Sequence, residues 1–396
     1  MPAVDFDPFS ADFFDDPYAT YRSLRDEAPV YHNARYGFWA LSRFDDVLAA
    51  HRDWQTFSSA HGVTLHDLRN PDFRAVGSII YLDPPAHERL RNLVSKAFTP
   101  RAIAALEPMV RSLVAETLDR VGGRDAFDAV VDFAAPFPVE VISVMLGVPA
   151  ADRQAVRLRT DVMLHREPGN PGPTAEGFRA GMEQTRCFRE LAATKRRHPG
   201  DDMITRLAHA ELDGPDGPQR LTDAEIASFA SLLGAAGSET VTKLVANGIV
   251  LFHRWPEEWA KIVADPGAIP GAVEEILRYW APSQYQGRFT RAPATFHGIT
   301  IPAGVPTLLL TGAATRDERA YPDPDRFDVA REQQIALGFG YGIHSCLGAA
   351  LARLESRVAF DEIRRRFPRY HVEEDGLRRV HMSNVAGFAE VPVRMG

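Results

Sequence analysis

Residues 338–355 read GFGYGIHSCLGAALARLE, a glycine-rich turn that runs into a helical pattern, with Cys346 at the junction. Glycines in the turn allow positive φ and let the backbone pass close to a flat group. A cysteine at a helix N-terminus faces free backbone N–H groups and the positive end of the helix dipole, which lower its pKa. The pattern therefore fits a thiolate metal ligand. On these features alone a buried free cysteine fits equally well, whereas a phosphate loop is disfavoured because no Gly-Lys-Ser/Thr follows.

Composition narrows the class of protein. The 396 residues are 45% apolar and 25% charged, with a net charge of −8, which excludes a disordered chain, a collagen-like repeat and a coiled-coil rod. This acidic balance disfavours nucleic acid or an anionic membrane as a partner. Two cysteines, Cys187 and Cys346, are too few for a disulfide scaffold and fit a reducing cytoplasm, with Cys187 as a structural thiol. We expect no signal peptide and no membrane-spanning helix.

Periodicity predicts a mainly α protein with a minor β portion, in one domain over residues 1–396. The pattern Thr222-Asp-Ala-Glu225 is a capping box that opens a helical run of about 30 residues, ending near Arg254. Its apolar positions lie nearly all round, as in a buried helix. Residues 295–310 alternate as strands, and the proline- and glycine-rich residues 166–177 predict a loop between two helices.

Residues 339–348, FGYGIHSCLG, resemble the haem-binding signature of the cytochrome P450 family, F-x-x-G-x-x-x-C-x-G. The resemblance covers essentially the whole chain, with further motifs in family order between residues 83 and 355. It implies haem b held between the long helix and the helix after the cysteine, with Cys346 as the axial thiolate and Phe339 as a cofactor contact. A thiolate donates electron density to iron, which favours O–O cleavage over reversible carriage of O₂.

Residues 236–240 of the long helix, AGSET, resemble the family's oxygen-activation groove, A-G-x-[DE]-T. The resemblance implies that Gly237 leaves space above the iron, that Thr240 hydrogen-bonds dioxygen, and that Glu239 relays protons. Without the other motifs, helix packing would be the favoured explanation of this glycine.

Haem carries two carboxylates, and burying them requires cationic or hydrogen-bonding partners. His87 and Arg91 are four residues apart and match the family's H-x-x-x-R propionate motif. Arg288 and His344 match the other usual propionate partners.

Glu275 and Arg278 resemble the family's E-x-x-R motif, a buried structural pair. Their three-residue spacing places both side chains on one helix face. The resemblance implies that Arg326 completes this network, which would hold the cysteine loop. Breaking one partner would leave an unpaired buried charge, at about 3–5 kcal/mol.

The resemblance also places a mostly apolar substrate cavity between the long helix, the loop before His87, the segment after Pro282 and the final hairpin. Its candidate lining residues are Ile79, Ile80, Ala235, Ala236, Val241, Gln284, Tyr285 and Val385. The polar residues 283–286 hint at a polar group on the substrate.

Activation of O₂ needs two electrons, and the resemblance implies that they come from a separate ferredoxin or flavodoxin with its reductase. Arg353, Arg357 and Arg364 share one helix face and form a candidate cationic docking stripe for an acidic redox partner, which Arg89 and Lys96 would extend. A solvated helix face is an equal alternative.

The sequence thus predicts a monomeric, cytoplasmic haem-thiolate monooxygenase. It would insert one oxygen atom from O₂ into a small, mostly apolar organic substrate, by hydroxylation or O-dealkylation. A haem-thiolate peroxygenase or isomerase is an alternative, which the pair Glu239-Thr240 disfavours. A haem sensor or electron carrier is a further alternative.

Overall fold

Long segments of helical periodicity fold as helices, and the structure is mainly α with small β-sheets, as the sequence predicts. The computed structural model describes residues 4–70, 78–170, 172–211 and 220–396. Its α-helices are α1 (Ala11–Asp15), α2 (Tyr18–Glu27), α3 (Phe44–Arg52), α4 (Leu65–Arg69), α5 (Ala86–Ser95), α6 (Pro100–Ala104), α7 (Glu107–Asp119), α8 (Pro136–Leu146), α9 (Arg153–Leu164), α10 (Ala175–Arg197), α11 (Met203–His209), α12 (Asp223–Arg254), α13 (Pro256–Ala264), α14 (Ile269–Tyr279), α15 (Thr311–Ala314) and α16 (Ala349–Arg366).

The strands form a mixed sheet and smaller antiparallel pairings. They are β1 (Val30–Asn33), β2 (Phe38–Leu41), β3 (Phe57–Ser58), β4 (Ala126–Asp128), β5 (Gln286–Thr290), β6 (Ala294–Phe296), β7 (Ile299–Ile301), β8 (Val305–Leu309), β9 (Tyr370–Val372), β10 (Arg378–Arg379), β11 (Phe388–Glu390) and β12 (Pro392–Met395). The mixed sheet has the order β1-β2-β8-β5-β3, in which only the β2–β8 pairing is parallel. Residues 295–310 contribute β7, β8 and most of β6, as their alternation predicts.

Helix α12 forms the centre of the main hydrophobic core. It begins with the predicted capping box, in which the Thr222 hydroxyl accepts from the Glu225 N–H and the Glu225 carboxylate accepts from the Thr222 N–H. It ends at Arg254 and is buried over most of its length, both as predicted. Because its apolar residues lie on nearly every side, α12 is held by packing from several helices and not by a single amphipathic face.

Two helices that carry sequence motifs pack directly on α12. A Cβ added to Gly248 would lie 2.7 Å from Ile276 Cδ1 of α14, and it would overlap the Phe360 ring of α16. Glycine costs about 1 kcal/mol relative to alanine within a helix, and here it allows the backbones to approach closely. This contact fixes α16, which follows Cys346, relative to the long helix.

The loop predicted over residues 166–177 lies between α9 and the start of α10. It contains residue 171, which is outside the described residues. The helix expected after Cys346 begins at Ala349 with Gly348 as its N-cap.

The window Ala129–Leu146 is long and apolar enough to cross a membrane by length and composition, with a mean hydropathy of 1.7. It includes Asp132 and Glu140, so it is not an uninterrupted apolar run. Inside the protein 67% of this window is buried, as in a core helix.

Candidate functional site

The cysteine loop is shaped by glycines in the left-handed region. Gly340 has a φ of 68° and Gly342 a φ of 70°, and a Cβ on Gly342 would collide with the carbonyl oxygen of His51 in α3. The Cys346 N–H donates to the Phe339 carbonyl at 2.9 Å, which closes the loop just before α16. These values confirm the prediction that glycines in the turn adopt positive φ.

The Cys346 side chain is exposed by surface area, yet burial raises the pKa of its thiol. Both observations hold if the sulfur lines a recess with protein on most sides. The Gly348 N–H, Arg91 and Arg353 each lower the pKa, but burial outweighs them. The N–H at the start of α16 lowers the pKa as predicted, but desolvation of the thiolate raises it by more, so the net shift is upward and not downward. A bound cation would reverse the balance, since a metal-coordinated thiol loses its proton.

Four basic side chains meet beside this loop. The His87 and His344 rings have centroids 4.5 Å apart, and the Arg91 guanidinium donates to the Ser345 carbonyl at 2.9 Å. Arg288 is buried and donates only to the adjacent Gly287 carbonyl among the described hydrogen bonds. Arg288, His87 and Arg91 act together on His344, because after burial their charges are the main causes that lower its pKa, to about 2. The four residues predicted as propionate partners are thus brought together.

No acidic side chain forms an ion pair with this cluster in the described part of the chain. Asp83 is the acid whose charge acts on both Arg288 and His87, but its own ion pair is with Arg291, at 3.9 Å. Both ring nitrogens of His87 are buried without a hydrogen-bond partner among the described residues. Buried cations and donors of this kind require acceptors, and two carboxylates would satisfy them. The donor set therefore fits haem, with Cys346 as the iron ligand and the four basic residues at the propionates.

His51 is a further member of this region that the sequence did not reveal. It is 4% exposed, and neither of its ring nitrogens has a hydrogen-bond partner within the described ranges. Burial, followed by the charge of Arg288, lowers its pKa to about 3, so the ring is neutral. A lone histidine in the short helix α3 carries no motif, and only its contacts with the glycines of the cysteine loop identify it.

On α12, Thr240 and Ala236 lie one turn apart. Thr240 is half-buried, and its hydroxyl donates to the Ala236 carbonyl at 2.7 Å. Ala236 is exposed, whereas a Cβ on Gly237 would lie 3.1 Å from Ile142 Cγ1 of α8. The prediction that Gly237 leaves space for a ligand is therefore wrong: its missing side chain makes room for α8. Ala236 is the small residue on the accessible side.

Glu239 is buried at 3% exposure, and its Oε1 lies 2.6 Å from the Nζ of Lys243, which is also buried. The contact is an ion pair, and Oε1 has no hydrogen-bond partner among the described residues. Helix packing alone would not need a buried carboxylate here. The partner Lys243, one turn further along α12, was missed by sequence reasoning.

Two predicted substrate contacts face elsewhere. Tyr285 is 1% exposed, donates to the Ser383 carbonyl at 3.1 Å, and packs in a core cluster with Phe6 and Leu65. Gln284 donates to the Ala281 carbonyl at 2.6 Å and packs against Gly312. Both were expected in the substrate cavity, and that assignment is wrong, because these side chains satisfy backbone groups. The hint of a polar substrate group is left with Ser283 and Gln286 alone.

The remaining candidates differ in accessibility. Ile79, Ala235 and Val241 are buried, whereas Ile80 and Val385 are half-buried. Val385, with Gln284 and Tyr285, borders a cavity of about 10 Å³, hardly the size of one water. A groove of about 630 Å³ lies along the start of α3 and residues 317–335, and none of the predicted site residues lines it.

The Glu275–Arg278 pair is fully buried and bidentate, at 2.7 and 2.8 Å, as the motif predicts. The third member is Arg331, whose Nε lies 3.2 Å from Glu275 Oε1. Arg326 was expected there, but its side chain is exposed and only its carbonyl takes part, accepting from Arg278 at 3.1 Å. The expectation for Arg326 is therefore wrong, because the turn after it brings the next arginine onto the carboxylate.

The arginines of the proposed docking stripe are each paired with an acid. Arg353 contacts Glu274 at 2.5 Å, Arg357 contacts Glu107 at 2.6 Å, and Arg364 contacts Asp361 at 2.7 Å. Their charge is balanced locally, which weakens the case for a free cationic stripe.

Comparisons with known proteins extend along the chain. A family model described as Cytochrome P450 matches residues 269–389. The chain is 44% identical over 394 residues to a Mycobacterium tuberculosis protein assigned by name as cytochrome P450 123, covering 99% of this chain and 97% of that protein. It is 37% identical over 380 residues to the erythromycin C-12 hydroxylase of Saccharopolyspora erythraea, covering 94% and 93% of the two chains. The solved structure of CYP109E1 from Bacillus megaterium in complex with testosterone has a TM-score of 0.88 at 32% identity, covering 97% of this chain and 99% of that one.

Proposed function

The chain belongs to the cytochrome P450 family, and from this we propose that it is a monooxygenase that hydroxylates a mostly apolar organic molecule. Membership makes it a haem-dependent oxidoreductase that uses O₂ and a redox partner. The observation that carries our assignment of the site is the cluster of four basic side chains, none of them in an ion pair with a described carboxylate, next to an accessible Cys346.

When bound, haem supplies the activation of O₂, of which one atom enters the substrate and the other leaves as water. We assign haem b to this site. Cys346 would hold the iron, Phe339 would lie beside the porphyrin, and His87, Arg91, Arg288 and His344 would hold the propionates.

Thr240 and Glu239 are our proposed catalytic residues. Thr240 presents a hydroxyl from the accessible side of α12, and its present acceptor is a carbonyl of its own helix. The Thr240 hydroxyl can exchange this bond for a contact with a ligand, because the Ala236 carbonyl is already an acceptor within the helix backbone. Glu239 precedes it on α12 and carries the carboxylate that we propose transfers protons.

For the substrate we propose contact with Ala236 and Ile80, which are the more accessible of the predicted lining residues, and with Val385. The relatives support a large apolar substrate: one is named an erythromycin hydroxylase and one holds testosterone. The name of the erythromycin C-12 hydroxylase favours hydroxylation over O-dealkylation. We propose a ferredoxin or flavodoxin as electron donor.

The test of the site is the spectrum of the reduced, CO-bound protein. We expect a strongly red-shifted band for the wild type and for Cys187→Ser, because the second cysteine is half-buried in α10 and outside the site. Cys346→Ser should lose that band. A wild-type band like that of a globin, or a Cys346→Ser variant with the wild-type band, would overturn the assignment.

The substrate class is tested by titrating the oxidised holoenzyme with steroids, macrolides and small polar aromatics. Displacement of iron-bound water changes the spin state and the spectrum. We expect shifts with the large apolar compounds; shifts with polar aromatics alone would contradict the proposal.

A further inference from the structure

Three side chains beside the cysteine loop form a clamp around one guanidinium. Arg353 of α16 stacks on the Phe339 ring, with its Cζ 4.5 Å from the ring centroid. The same guanidinium donates two hydrogen bonds to Glu274 of α14, from Nε at 2.5 Å and from Nη2 at 3.0 Å. Two carboxylate oxygens and a flat ring fix the orientation of a planar guanidinium, which a lysine ammonium could not reproduce. We call Phe339, Glu274 and Arg353 the arginine clamp.

The arginine clamp is linked to the predicted iron ligand through Phe339. The Phe339 carbonyl accepts from the Cys346 N–H at 2.9 Å, so the ring under the guanidinium belongs to the residue that closes the cysteine loop. Burial raises the pKa of the Cys346 thiol, and the charge of Arg353 acts in the opposite direction. The positive charge of the clamp is therefore felt at the sulfur.

Two arginines act on Cys346, and they differ in their counter-ions. Arg91 donates to the Ser345 carbonyl and is assigned to a propionate, so its anion would come from haem. Arg353 has its anion within the protein, on Glu274. The two side chains of that ion pair are 42% and 25% exposed, so solvent screens their charges only in part. A substitution at Glu274 therefore unbalances the charge near the sulfur without changing the propionate partners.

We propose that the charge of Arg353 sets how readily the iron accepts an electron, and that Glu274 holds the guanidinium on Phe339 while offsetting part of that charge. This inference rests on the proposed haem site. Both are positioning residues, which act through Phe339 and the thiolate. The step is the one-electron reduction of the iron by the electron donor, in which no bond forms or breaks and one negative charge is added to the unit of iron and thiolate. A nearby cation stabilises the reduced form, and a nearby anion stabilises the oxidised form.

The test measures the reduction potential of the holoenzyme at equilibrium, with small-molecule redox dyes and no protein donor. Glu274→Gln keeps the shape of the side chain and removes its charge, so the charge of Arg353 is no longer offset. We expect the equilibrium constant for reduction to rise on the order of tenfold, the effect of one charge over about 10 Å near a protein surface. Tenfold corresponds to about 59 mV for a one-electron couple.

Two substitutions of the arginine complete the series. Arg353→Gln should lower the equilibrium constant on the order of tenfold, because Glu274 is left as an unpaired anion. The double variant, with Gln at both positions, should return to within about threefold of the wild type, since both charges are gone. Arg353→Lys keeps the charge but loses the fork and the stacking, so its potential should lie between those of the wild type and Arg353→Gln.

Arg357 and Glu107 provide a matched control one turn further along α16. Their side chains meet at 2.6 Å and are 35% and 32% exposed, similar to the pair in the arginine clamp. Among the described residues, no hydrogen bond, ion pair or ring contact joins this control pair to Phe339. Glu107→Gln should therefore change the equilibrium constant for reduction by less than about twofold.

The outcomes decide between a tuning role and a merely structural one. If Glu274→Gln leaves the potential unchanged, or shifts it in the same direction as Arg353→Gln, the clamp only links α14 to α16 and the proposal is overturned. An equal rise in Glu107→Gln would also overturn it, because the effect would then be one of net charge. If Arg353→Gln fails to fold, Glu274→Gln and Glu107→Gln decide the question alone. A wild type without the red-shifted CO band would overturn the proposed site, whereas unmoved potentials in variants that keep the band overturn the clamp alone.

Discussion

Replacing Arg278 with methionine should destabilise the protein more than any exposed substitution. Arg278 is 1% exposed and uses all five of its N–H groups: two on Glu275, and one each on the carbonyls of Thr315, Pro324 and Arg326. Methionine would leave the Glu275 carboxylate with only Arg331 and the Asp328 N–H. Breaking a buried pair in this way costs about 3–5 kcal/mol.

That cost can be converted to a melting temperature. An unfolding entropy of about 2.1 cal/mol/K per residue gives about 0.8 kcal/mol/K for a chain of 396 residues. The expected shift for Arg278→Met is therefore about 4–6 °C downward. Arg278→Lys should be intermediate, because it keeps the charge and loses the planar fork.

Calorimetry on the holoenzyme, with Arg326→Ala as the matched control, checks the prediction. The Arg326 side chain is exposed, so its removal should change stability by about 0.5 kcal/mol or less, under about 1 °C. If Arg326→Ala lowers the melting temperature as much as Arg278→Met does, our assignment of the network is wrong. A shift below about 1 °C for Arg278→Met would refute the energetic reasoning.

Three further substitutions test the helix contact and the site. Gly248→Ala should lower the free energy of unfolding by about 1–3 kcal/mol, measured in guanidinium, because the added methyl group overlaps Phe360; wild-type stability would contradict the packing described. Thr240→Ala should divert electrons to peroxide in a coupling assay. The control Ser238→Ala, which removes a hydroxyl that donates to the carbonyl four residues earlier at 2.6 Å, should not. Equal coupling in the two variants would remove the proposed role of the threonine. His51→Leu should speed haem loss to apomyoglobin several-fold if the imidazole supports the propionates, and an unchanged rate would show that it does not.

Local sequence patterns predicted the elements that depend on neighbouring residues. The capping box at Thr222 and Glu225 marked the start of α12, and the glycines before Cys346 marked the loop conformation. Caps and positive-φ turns are decided within a few residues, so a single sequence contains them. The family of the chain was also predicted from its motifs.

The errors came from contacts between distant parts of the chain. Which arginine meets Glu275 depends on how residues 322–331 turn, and both Arg326 and Arg331 are near enough in sequence. Which of Ala236 and Gly237 faces the accessible side depends on the rotation of α12 against α8. Spacing gives the relative phase of residues on one helix but not its orientation in the fold.

The charge pairing along α16 has a consequence for electron delivery. Each of the three arginines there has a carboxylate within 2.7 Å, so the electric field of each pair cancels a short distance into the solvent. A reductant arriving at this face would sense little long-range attraction from these groups. Its capture rate should then vary only weakly with ionic strength, and discrimination among donors would depend on the shape of the touching surfaces.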